Sequence, residues 1–483
     1  MQEKSWEIKE IPAWVSQKGA SALQFAVLRN SVISLGAPID TAYAAFNNLA
    51  QQNGLTWASD GVSAAAYVDA PVAFGSTGGI VIDGSKTSSD TPTVTANAVS
   101  VAANGLLIVN QQNVGDKKVF STSDAAGTTV TFEAGSSLGL VNAVEGTLTL
   151  ADTVNANVGA TVVTDNPFFT GAFGTNESGD TVVTTSFDSA SGLSAIASTG
   201  IQSMARRADF VMSETVANRT SLDQQLNAGV NLWVDVTGER YEADKLDNNG
   251  SFRADAGYAT FGGDVQVADG LTAGLALQYG DATVRSDVAS IKNEINSYGL
   301  TAYVGQTFGA AKVVGEVAWL RTENDITSAQ TAMNQSLDTN VYSAGVRAQY
   351  ELTAGAFKFV PSIGLRVSHL ETDDMTIGTI NANDSDLTYV QMPIALRITG
   401  AEVNASGWTF APSFKVAYVP TFGDKDIKVL GYSQDVLDMS PVQADFGLRA
   451  VNGNLMFNAD MQIGGGEYGT SSVGGKVGVK YVF

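Results

Sequence analysis

The chain has 483 residues, 44% of them hydrophobic and only 16% charged, with 50 glycines, one histidine, no cysteine and a formal net charge of −22. An ordinary soluble domain carries about a quarter of charged residues, so this chain is poor in charge without being rich in apolar side chains. The absence of cysteine excludes disulfides, thiolate metal sites and cysteine nucleophiles, and the acidity argues against nucleic acid as a partner.

Residues 1–55 carry the first helical pattern of the chain. Apolar residues recur at a spacing near 3.6 from Ile11 to Leu49, which predicts two short amphipathic helices separated at Gly36 and Pro38. The start of the chain is polar and lacks the apolar core of a signal peptide. No run of about 18 apolar residues predicts a transmembrane helix. We therefore expect either a cytoplasmic chain or one whose start has been processed or truncated.

Residues 56–194 change to short β-type runs. Apolar and β-branched stretches recur at irregular intervals with Gly, Asn, Asp and Ser between them, at 79–82, 98–101, 106–109, 129–132 and 146–150. Short rungs with small residues at the corners predict a stacked β-solenoid. A β-sandwich is the alternative interpretation of the same pattern.

Residues 195–228 contain a second helical stretch, from about Ile201 to Leu226. At 1.5 Å per residue it reaches about 37 Å, which is enough to cross a bilayer, but it is too polar to face lipid. Its charged residues are Arg206, Arg207, Asp209, Glu214, Arg219 and Asp223.

Residues 229–483 divide into twelve segments of about ten residues that alternate apolar and polar side chains with a period of two. Segment eleven, for example, sets Phe457 and Met461 against Asn458 and Asp460. The connections alternate between short ones, several of them Asp-Gly or Asn-Gly, and long ones at about 239–256, 281–294, 321–340, 370–388, 420–442 and 464–471. Tight turns at one rim and long polar loops at the other predict a 12-stranded antiparallel transmembrane β-barrel.

The polar faces of the twelve segments are expected to line the inside of this barrel. Twelve strands enclose a lumen wider than their side chains can fill, so water or a plug must occupy it. The preceding helix is expected to thread the lumen, and a helix packed beneath an open pore is the alternative. The expected lumen-lining charges are Asp235, Asp264, Glu316, Arg347, Arg366, Arg397, Arg449, Asp460, Lys476 and Lys480, together with Lys358 and Lys415.

These features together resemble the autotransporters of Gram-negative bacteria, the type V secretion family. The resemblance rests on the solenoid-like runs, the linker helix, the twelve strands and the chain end Val477-Gly478-Val479-Lys480-Tyr481-Val482-Phe483. It implies an all-β protein of the outer membrane whose barrel holds the linker helix in its lumen and carries a passenger to the cell surface. It also implies that the barrel-assembly machinery reads a signal formed by Val477, Val479, Tyr481 and Phe483.

A catalytic passenger is not expected. The lone histidine, His369, lies on segment seven rather than in the passenger, and residues 1–200 contain no Gly-x-Ser-x-Gly motif. Family members that cut their own linker often do so between two asparagines. Because Asn218 and Asn227 each stand alone, we expect the passenger to stay attached.

Two functions remain as hypotheses. The favoured one is a surface-display translocator with a non-enzymatic, adhesin-like or structural passenger. Its expected partners are outer-membrane lipids, the barrel-assembly machinery and a host or cell-surface ligand. No cofactor or metal is expected, because the acidic loops fit solvated loops better than a twelve-residue calcium loop. The alternative is a porin-like channel whose N-terminal region lies in the periplasm, so the two hypotheses differ in the location of residues 1–190.

Overall fold

The computed structural model describes residues 31–35, 61–63, 72–74, 79–82, 94–95, 98–101, 103, 106–111, 118–121, 127–141, 143–156, 159–164, 168–224, 229–246, 249–328, 334–377, 380–382, 386–429 and 432–483. The chain divides into two compact units, 1–192 with 378–380, and 193–377 with 381–483. No helix within the described ranges is long and apolar enough to cross a membrane.

The first unit is a parallel β-solenoid. Strands stack in the orders β13-β10-β7-β4-β1-β2, β12-β9-β6-β3 and β5-β8, in which neighbours are three apart in the chain except for β1 and β2, which are consecutive. Their bounds are β1 (Ser31–Leu35), β2 (Gly61–Ser63), β3 (Val72–Phe74), β4 (Gly79–Ile82), β5 (Val94–Thr95), β6 (Ala98–Val101), β7 (Leu106–Asn110), β8 (Phe120–Ser121), β9 (Thr129–Phe132), β10 (Ser137–Val141), β11 (Gly146–Ala151), β12 (Thr153–Ala156) and β13 (Thr161–Thr164). All pairings in the three stacks are parallel, so the solenoid prediction is confirmed and the sandwich is wrong.

The helix prediction for residues 1–55 is wrong where the structure describes it. The helical pattern included Ser31 and Ile33, but Ser31–Leu35 is a strand that pairs in parallel with Gly79–Ile82. Val32 and Ile33 are β-branched and favour a strand when a neighbouring rung offers backbone partners. The rest of that prediction lies outside the described residues.

An antiparallel sheet ends the solenoid unit. It is formed by β11, β15 (Thr181–Phe187) and β14 (Phe169–Thr175). Lys118, which precedes β8, donates to Asp152 at 2.9 Å and to Asp180 at 3.0 Å. Asp152 also accepts the backbone N–H of Thr128 at 2.7 Å. This cluster connects the last turns of the solenoid to the start of β15.

Replacing Asp152 by Asn is expected to destabilise the solenoid unit in a pH-dependent way. The Thr128 N–H and the Lys118 ammonium hold the pKa of the Asp152 carboxyl below its usual range. Because the folded pKa is depressed, the stabilisation is present above the unfolded pKa and is lost as the pH falls through the folded pKa. We expect a cost of about 1 kcal/mol at pH 7, discounted for partial exposure.

Urea-dependent proteolysis of the solenoid unit measures this effect. The difference in urea midpoint between the D152N variant and the original chain should shrink as the pH falls below about 4, where the unfolded carboxyl also protonates. The exposed E177Q variant serves as the control and should leave the midpoint unchanged. A D152N effect that is equal at pH 7 and pH 3 would contradict the role given to this carboxylate.

The second unit is a closed antiparallel barrel of twelve strands, because the first strand pairs with both the second and the last. The strands are, in order, β16 (Val230–Ala243), β17 (Phe252–Ala268), β18 (Leu271–Ser286), β19 (Ile291–Phe308), β20 (Ala311–Thr327), β21 (Gln335–Tyr350), β23 (Phe357–Thr372), β26 with β27 (Leu387–Gln391, Ile394–Thr399), β29 (Trp408–Tyr418), β33 (Val442–Asn452), β34 (Leu455–Gly465) and β35 (Ser471–Val482). Short strands lie in the connections: β22 (Leu352–Ala354), β24 (Met375–Ile377), β25 (Ile380–Ala382), β28 (Val403–Ala405), β30 (Thr421–Gly423), β31 (Asp426–Val429) and β32 (Tyr432–Asp435). The predicted 12-stranded barrel is confirmed.

Several barrel strands are longer than the predicted ten residues. The second to fifth strands have 16 to 18 residues, and the extra residues lie at the long-loop rim. There the outward face becomes polar, as at Arg253 and Asp255, while Phe252 and Ala254 are buried on the inner face. The lipid-facing apolar pattern therefore ends while the backbone pairing continues. The connection at 287–290 is correspondingly short.

Two helices precede the barrel, α1 (Ser189–Ser198) and α2 (Ile201–Arg219), followed by a 3-10 turn at Leu222–Gln224. The predicted helix begins at Ile201, as α2 does, but α2 ends at Arg219 rather than at about Leu226, and α1 was not predicted. Gly200 adopts a φ of 67° between the two helices, a conformation that glycine accommodates without strain. Beyond Arg219, Thr220 donates its hydroxyl to the carbonyl oxygen of Val216 at 2.8 Å and ends the helix.

Candidate functional site: a helix held inside the barrel

Helix α2 lies inside the barrel and packs against the second to seventh strands. At its start, Asn293 donates its side-chain amide to the carbonyl oxygen of Thr199 at 3.0 Å. At its end, Gln349 donates to the carbonyl oxygen of Thr220 at 3.1 Å. Asn293 lies at the long-loop end of its strand and Gln349 at the short-turn end. The helix therefore runs from the long-loop rim to the short-turn rim.

Small residues on the wall allow the helix to lie close to it. A Cβ at Gly299 would be 2.7 Å from the sulfur of Met212 on the helix. Nearby, Val216 is fully buried in a cluster with Trp233, Ala276 and Tyr303. A larger residue than glycine at 299 would force the helix or the wall to shift.

Four charged residues of α2 form ion pairs with the wall. Arg207 binds Glu239 through two nitrogens, with distances of 2.5 to 3.1 Å. The other pairs are Asp209 with Arg366 at 2.6 Å, Glu214 with Arg347 at 3.3 Å and with Lys415, and Arg219 with Asp264 at 2.6 Å. The helix carries both positive and negative side chains, and each of these pairs with a side chain of opposite charge on the wall. The pairs therefore fix the rotation of the helix about its axis and its depth in the barrel.

Asp209 is the most enclosed of these groups, with a side chain only 1% exposed. Its carboxylate accepts from the guanidinium of Arg366, from Ser343 Oγ at 3.1 Å and from Ser368 Oγ at 3.4 Å. Arg366 also bonds to Glu316, which in turn accepts from Ser213 Oγ at 2.6 Å. The network therefore returns to the helix one turn further on.

The end of the helical segment is held by a second group of contacts. Asp223 accepts from Thr399 Oγ1 at 2.6 Å, and its carbonyl oxygen accepts from Arg449. Arg397 donates to the side-chain oxygen of Asn218. These contacts tie the last turn of the helical segment to the eighth and tenth strands.

A hairpin of the long connection at 419–441 covers the start of α2. Val436 and Leu437 are buried, and the carbonyl oxygen of Val436 accepts from Ser203 Oγ at 2.5 Å. Arg206 reaches the same connection, where it donates to the carbonyl oxygen of Asp438 and to Thr421 Oγ1. The hairpin is braced by Lys425, whose pKa is raised by its hydrogen bonds to Asp435 and Tyr468.

The structure places all twelve expected lumen-lining charges on the inner face of the barrel. Among the described residues, five of them have no oppositely charged partner within 4 Å: Asp235, Arg397, Asp460, Lys476 and Lys480. These five line a void of about 30 Å³ beside the end of α2. A second void, of about 20 Å³, lies beside Glu214 and Arg347. Each has room for about one water molecule, so the helix nearly fills the lumen.

Sequence reasoning missed several partners of the helix. Glu239 was placed in a loop, although it continues the inward parity of Trp233, Asp235 and Thr237. Arg206, one of the charged residues of the predicted helix, binds backbone and hydroxyl oxygens at the mouth of the barrel and not a charged side chain of the wall. Continuing the period-two pattern beyond the apolar stretch would have found Glu239, whereas no sequence signal indicated the folding of the hairpin.

The only histidine and the chain end both lie on the outer wall. His369 is 44% exposed, with Nδ1 2.8 Å from Thr388 Oγ1 and Nε2 3.3 Å from Glu371. The terminal strand directs Val477, Val479, Tyr481 and Phe483 outward at the short-turn end. The Phe483 N–H donates to the carbonyl oxygen of Val230 at 2.9 Å, which closes the barrel.

A sequence model of the family described as "Autotransporter beta-domain" matches residues 232–474, which is 243 of the 483 residues. No curated protein matches the chain. Similar solved structures include the translocator domain of the autotransporter NalP from Neisseria meningitidis, at 18% identity and a TM-score of 0.48 over 59% of this chain and 98% of that one. The transport unit of the autotransporter AIDA-I from Escherichia coli is similar at 15% identity and a TM-score of 0.45, over 57% and 97% of the two chains.

Proposed function

This chain belongs to the autotransporter family, so its barrel is an outer-membrane translocator, and we propose that it displays the N-terminal solenoid unit on the cell surface as an attached passenger. The observation that carries this proposal is the direction of α2. The helix enters the barrel at the long-loop rim and ends beside the first strand at the short-turn rim. Short turns of outer-membrane barrels face the periplasm, so the residues before the helix leave the barrel on the outer side.

Attachment of the passenger is supported by the contacts of the linker. Asn218 stands next to Arg219, not to a second asparagine, and its side-chain oxygen is held by Arg397. Arg219 is itself held by Asp264 at 2.6 Å. The side chains on both sides of the Asn218–Arg219 peptide bond are thus bonded to the wall. We propose that the linker is not cut.

The passenger is proposed to be non-enzymatic and to act as an adhesin or a structural module. The sequence of residues 1–192 contains neither a histidine nor a cysteine, which removes the most common general base and the most reactive nucleophile. A solenoid of stacked rungs offers an extended surface of repeated side chains. Such a surface suits binding of a host or cell-surface ligand.

The chain end is proposed to be the signal for the barrel-assembly machinery. Val477, Val479, Tyr481 and Phe483 form one outward apolar row, and the rings of Tyr481 and Phe483 are 4.8 Å apart. This part of the proposal stays a prediction.

Protease treatment of intact cells tests the display of the passenger. Without protease, we expect a single species that contains both the solenoid unit and the barrel. A protease added outside is expected to remove the solenoid unit and to leave a fragment that begins near residue 190 and contains α2 with the barrel. The detergent-folded protein is digested in parallel as the control, since it shows where the chain is cut when all of it is accessible.

The opposite pattern supports the porin-like alternative. If intact cells protect the solenoid unit, and permeabilising the outer membrane makes it cleavable, the N-terminal unit lies in the periplasm and the proposal is wrong.

A further inference from the structure

The hairpin that covers the start of α2 is part of a segment that lies between two prolines. Pro420 follows the ninth strand of the barrel, and Pro441 precedes the tenth. The described residues between them, 421–429 and 432–440, contain the short strands β30, β31 and β32. We call this segment the lid.

Each proline removes a hydrogen bond of the barrel ladder at the base of the lid. The Val419 N–H donates to the carbonyl oxygen of Pro441 at 3.0 Å, and the Met392 N–H donates to that of Pro420 at 2.9 Å. Antiparallel residues bonded in this way exchange a second bond in return, but proline has no N–H to donate. The ladder is therefore weakened on both sides of the ninth strand where the lid begins, which favours a hinge at this level.

The lid carries apolar side chains that are covered in the closed barrel. Ile427, Val429, Val436 and Leu437 are at most 2% exposed. The start of α2 lies beneath them, since Ser203 Oγ donates to the carbonyl oxygen of Val436 at 2.5 Å. A barrel without α2 would have water in this part of the lumen. Exposure of apolar surface to that water would disfavour the closed position of the lid.

Arg206 binds the lid through uncharged acceptors. Its buried guanidinium donates to the carbonyl oxygen of Asp438 and to Thr421 Oγ1 at 3.1 Å, and it lies 5.6 Å from the centre of the Tyr389 ring. The carboxylate of Asp438 accepts from Thr470 Oγ1 at 2.6 Å, which holds its carbonyl oxygen in place. These bonds can form only while α2 keeps Arg206 beneath the lid, so the helix stabilises the closed position.

We propose that the lid is hinged at Pro420 and Pro441 and closes over the long-loop end of the lumen only when α2 is in place. The helix supplies Ser203 and Arg206 as donors and fills the space beneath the apolar side chains of the lid. Without the helix, the lid is released and the outer end of the lumen is free. The closed lid covers the end of α2 that would leave the barrel first through this rim.

Hydrogen–deuterium exchange of the full-length protein folded in detergent, followed by mass spectrometry, tests the dependence of the lid on α2. In R206Q we expect the lid amides to exchange about tenfold faster, while the strand amides at 408–418 and 442–452 keep their protection. The R219Q variant is the matched control. It also removes a buried arginine from α2, but this arginine pairs with Asp264 at the opposite rim, so exchange of the lid should not change.

The chain that lacks residues 189–224 gives the larger effect. Removal of the helix should speed exchange of the lid by about a hundredfold or more, again without loss of protection at 408–418 and 442–452. The hinge is tested by restoring the missing donors. P420A/P441A provides both N–H groups, so it should slow exchange of the lid when it is combined with R206Q.

Four results would overturn the proposal. These are unchanged exchange of the lid in R206Q or in the helix-deleted chain, an equal effect of R219Q and R206Q, faster exchange that extends equally through 408–418 and 442–452, and no slowing by P420A/P441A. A heat-dependent shift in gel mobility, checked for each variant, shows that the barrel is folded.

Discussion

The D209A variant is expected to lose about 3 kcal/mol of stability in the barrel unit, which is the lower end of the range for breaking a buried ion pair. Asp209 is enclosed between the helix and the wall and bonds to Arg366, Ser343 and Ser368. Its removal leaves a guanidinium buried with fewer acceptors. Glu316 still neutralises Arg366, which is why the higher costs in that range are not expected.

Thermal unfolding of the full chain in detergent, followed by circular dichroism and by gel mobility, measures this loss. The matched control is E294A, which removes an exposed ion pair with Lys292 in the same barrel. Exposed pairs contribute about 0 to 1 kcal/mol, so E294A should unfold close to the original temperature. A D209A barrel as stable as the E294A barrel would show that the network does not hold the helix.

Removal of residues 189–224 is expected to open the barrel. In the full chain, the helix fills the centre of the barrel, and voids of about 20 and 30 Å³ lie beside it. A barrel of twelve strands without a plug has a lumen wider than its side chains can fill, so single-channel conductance in a planar bilayer should rise on the order of tenfold. Water would then enter the lumen and hydrate the charged side chains of its wall.

A second deletion separates the helix from the passenger. A chain that lacks residues 31–187 but keeps α1 and α2 should remain as poorly conducting as the full chain. If the full chain already conducts like the helix-deleted barrel, the lumen is open and the porin-like alternative is correct. Gel mobility before and after heating shows whether each deletion variant has folded.

The barrel could be predicted from the sequence because its strands alternate apolar and polar side chains, and this alternation is imposed by the different surroundings of their two faces. Lipid on one side and a polar lumen on the other impose a strict period of two, as at Phe457, Asn458 and Ala459. The same parity placed Asp264, Arg347 and the other lumen charges on the inner face. Asp264 pairs with Arg219 and Arg347 pairs with Glu214, because a polar helix inside the lumen brings side chains of opposite charge to these wall residues.

The pattern changes at the long-loop rim. Above the lipid, the outward face of a strand meets water and carries Arg240, Arg253 and Asp255, whereas Phe252 and Ala254 are buried on the inner face. The lipid-facing apolar pattern therefore ends although the strands continue, and the sequence predicted a connection at 239–256. Ser31–Leu35 was mispredicted for another reason, because its backbone partner is a rung nearly 50 residues further along the chain. Contacts made by loop backbone, such as the carbonyl oxygen of Asp438 on Arg206, leave no pattern in side-chain types.

The absence of cysteine from the chain gives the most direct test of passenger display. Single E177C and T353C variants place one thiol on an exposed turn of the solenoid unit and one on a short turn of the barrel. A membrane-impermeant maleimide added to intact cells is expected to label E177C and to leave T353C unlabelled until the outer membrane is permeabilised. Labelling of T353C with protection of E177C would place the solenoid unit in the periplasm and contradict the proposed display of the passenger.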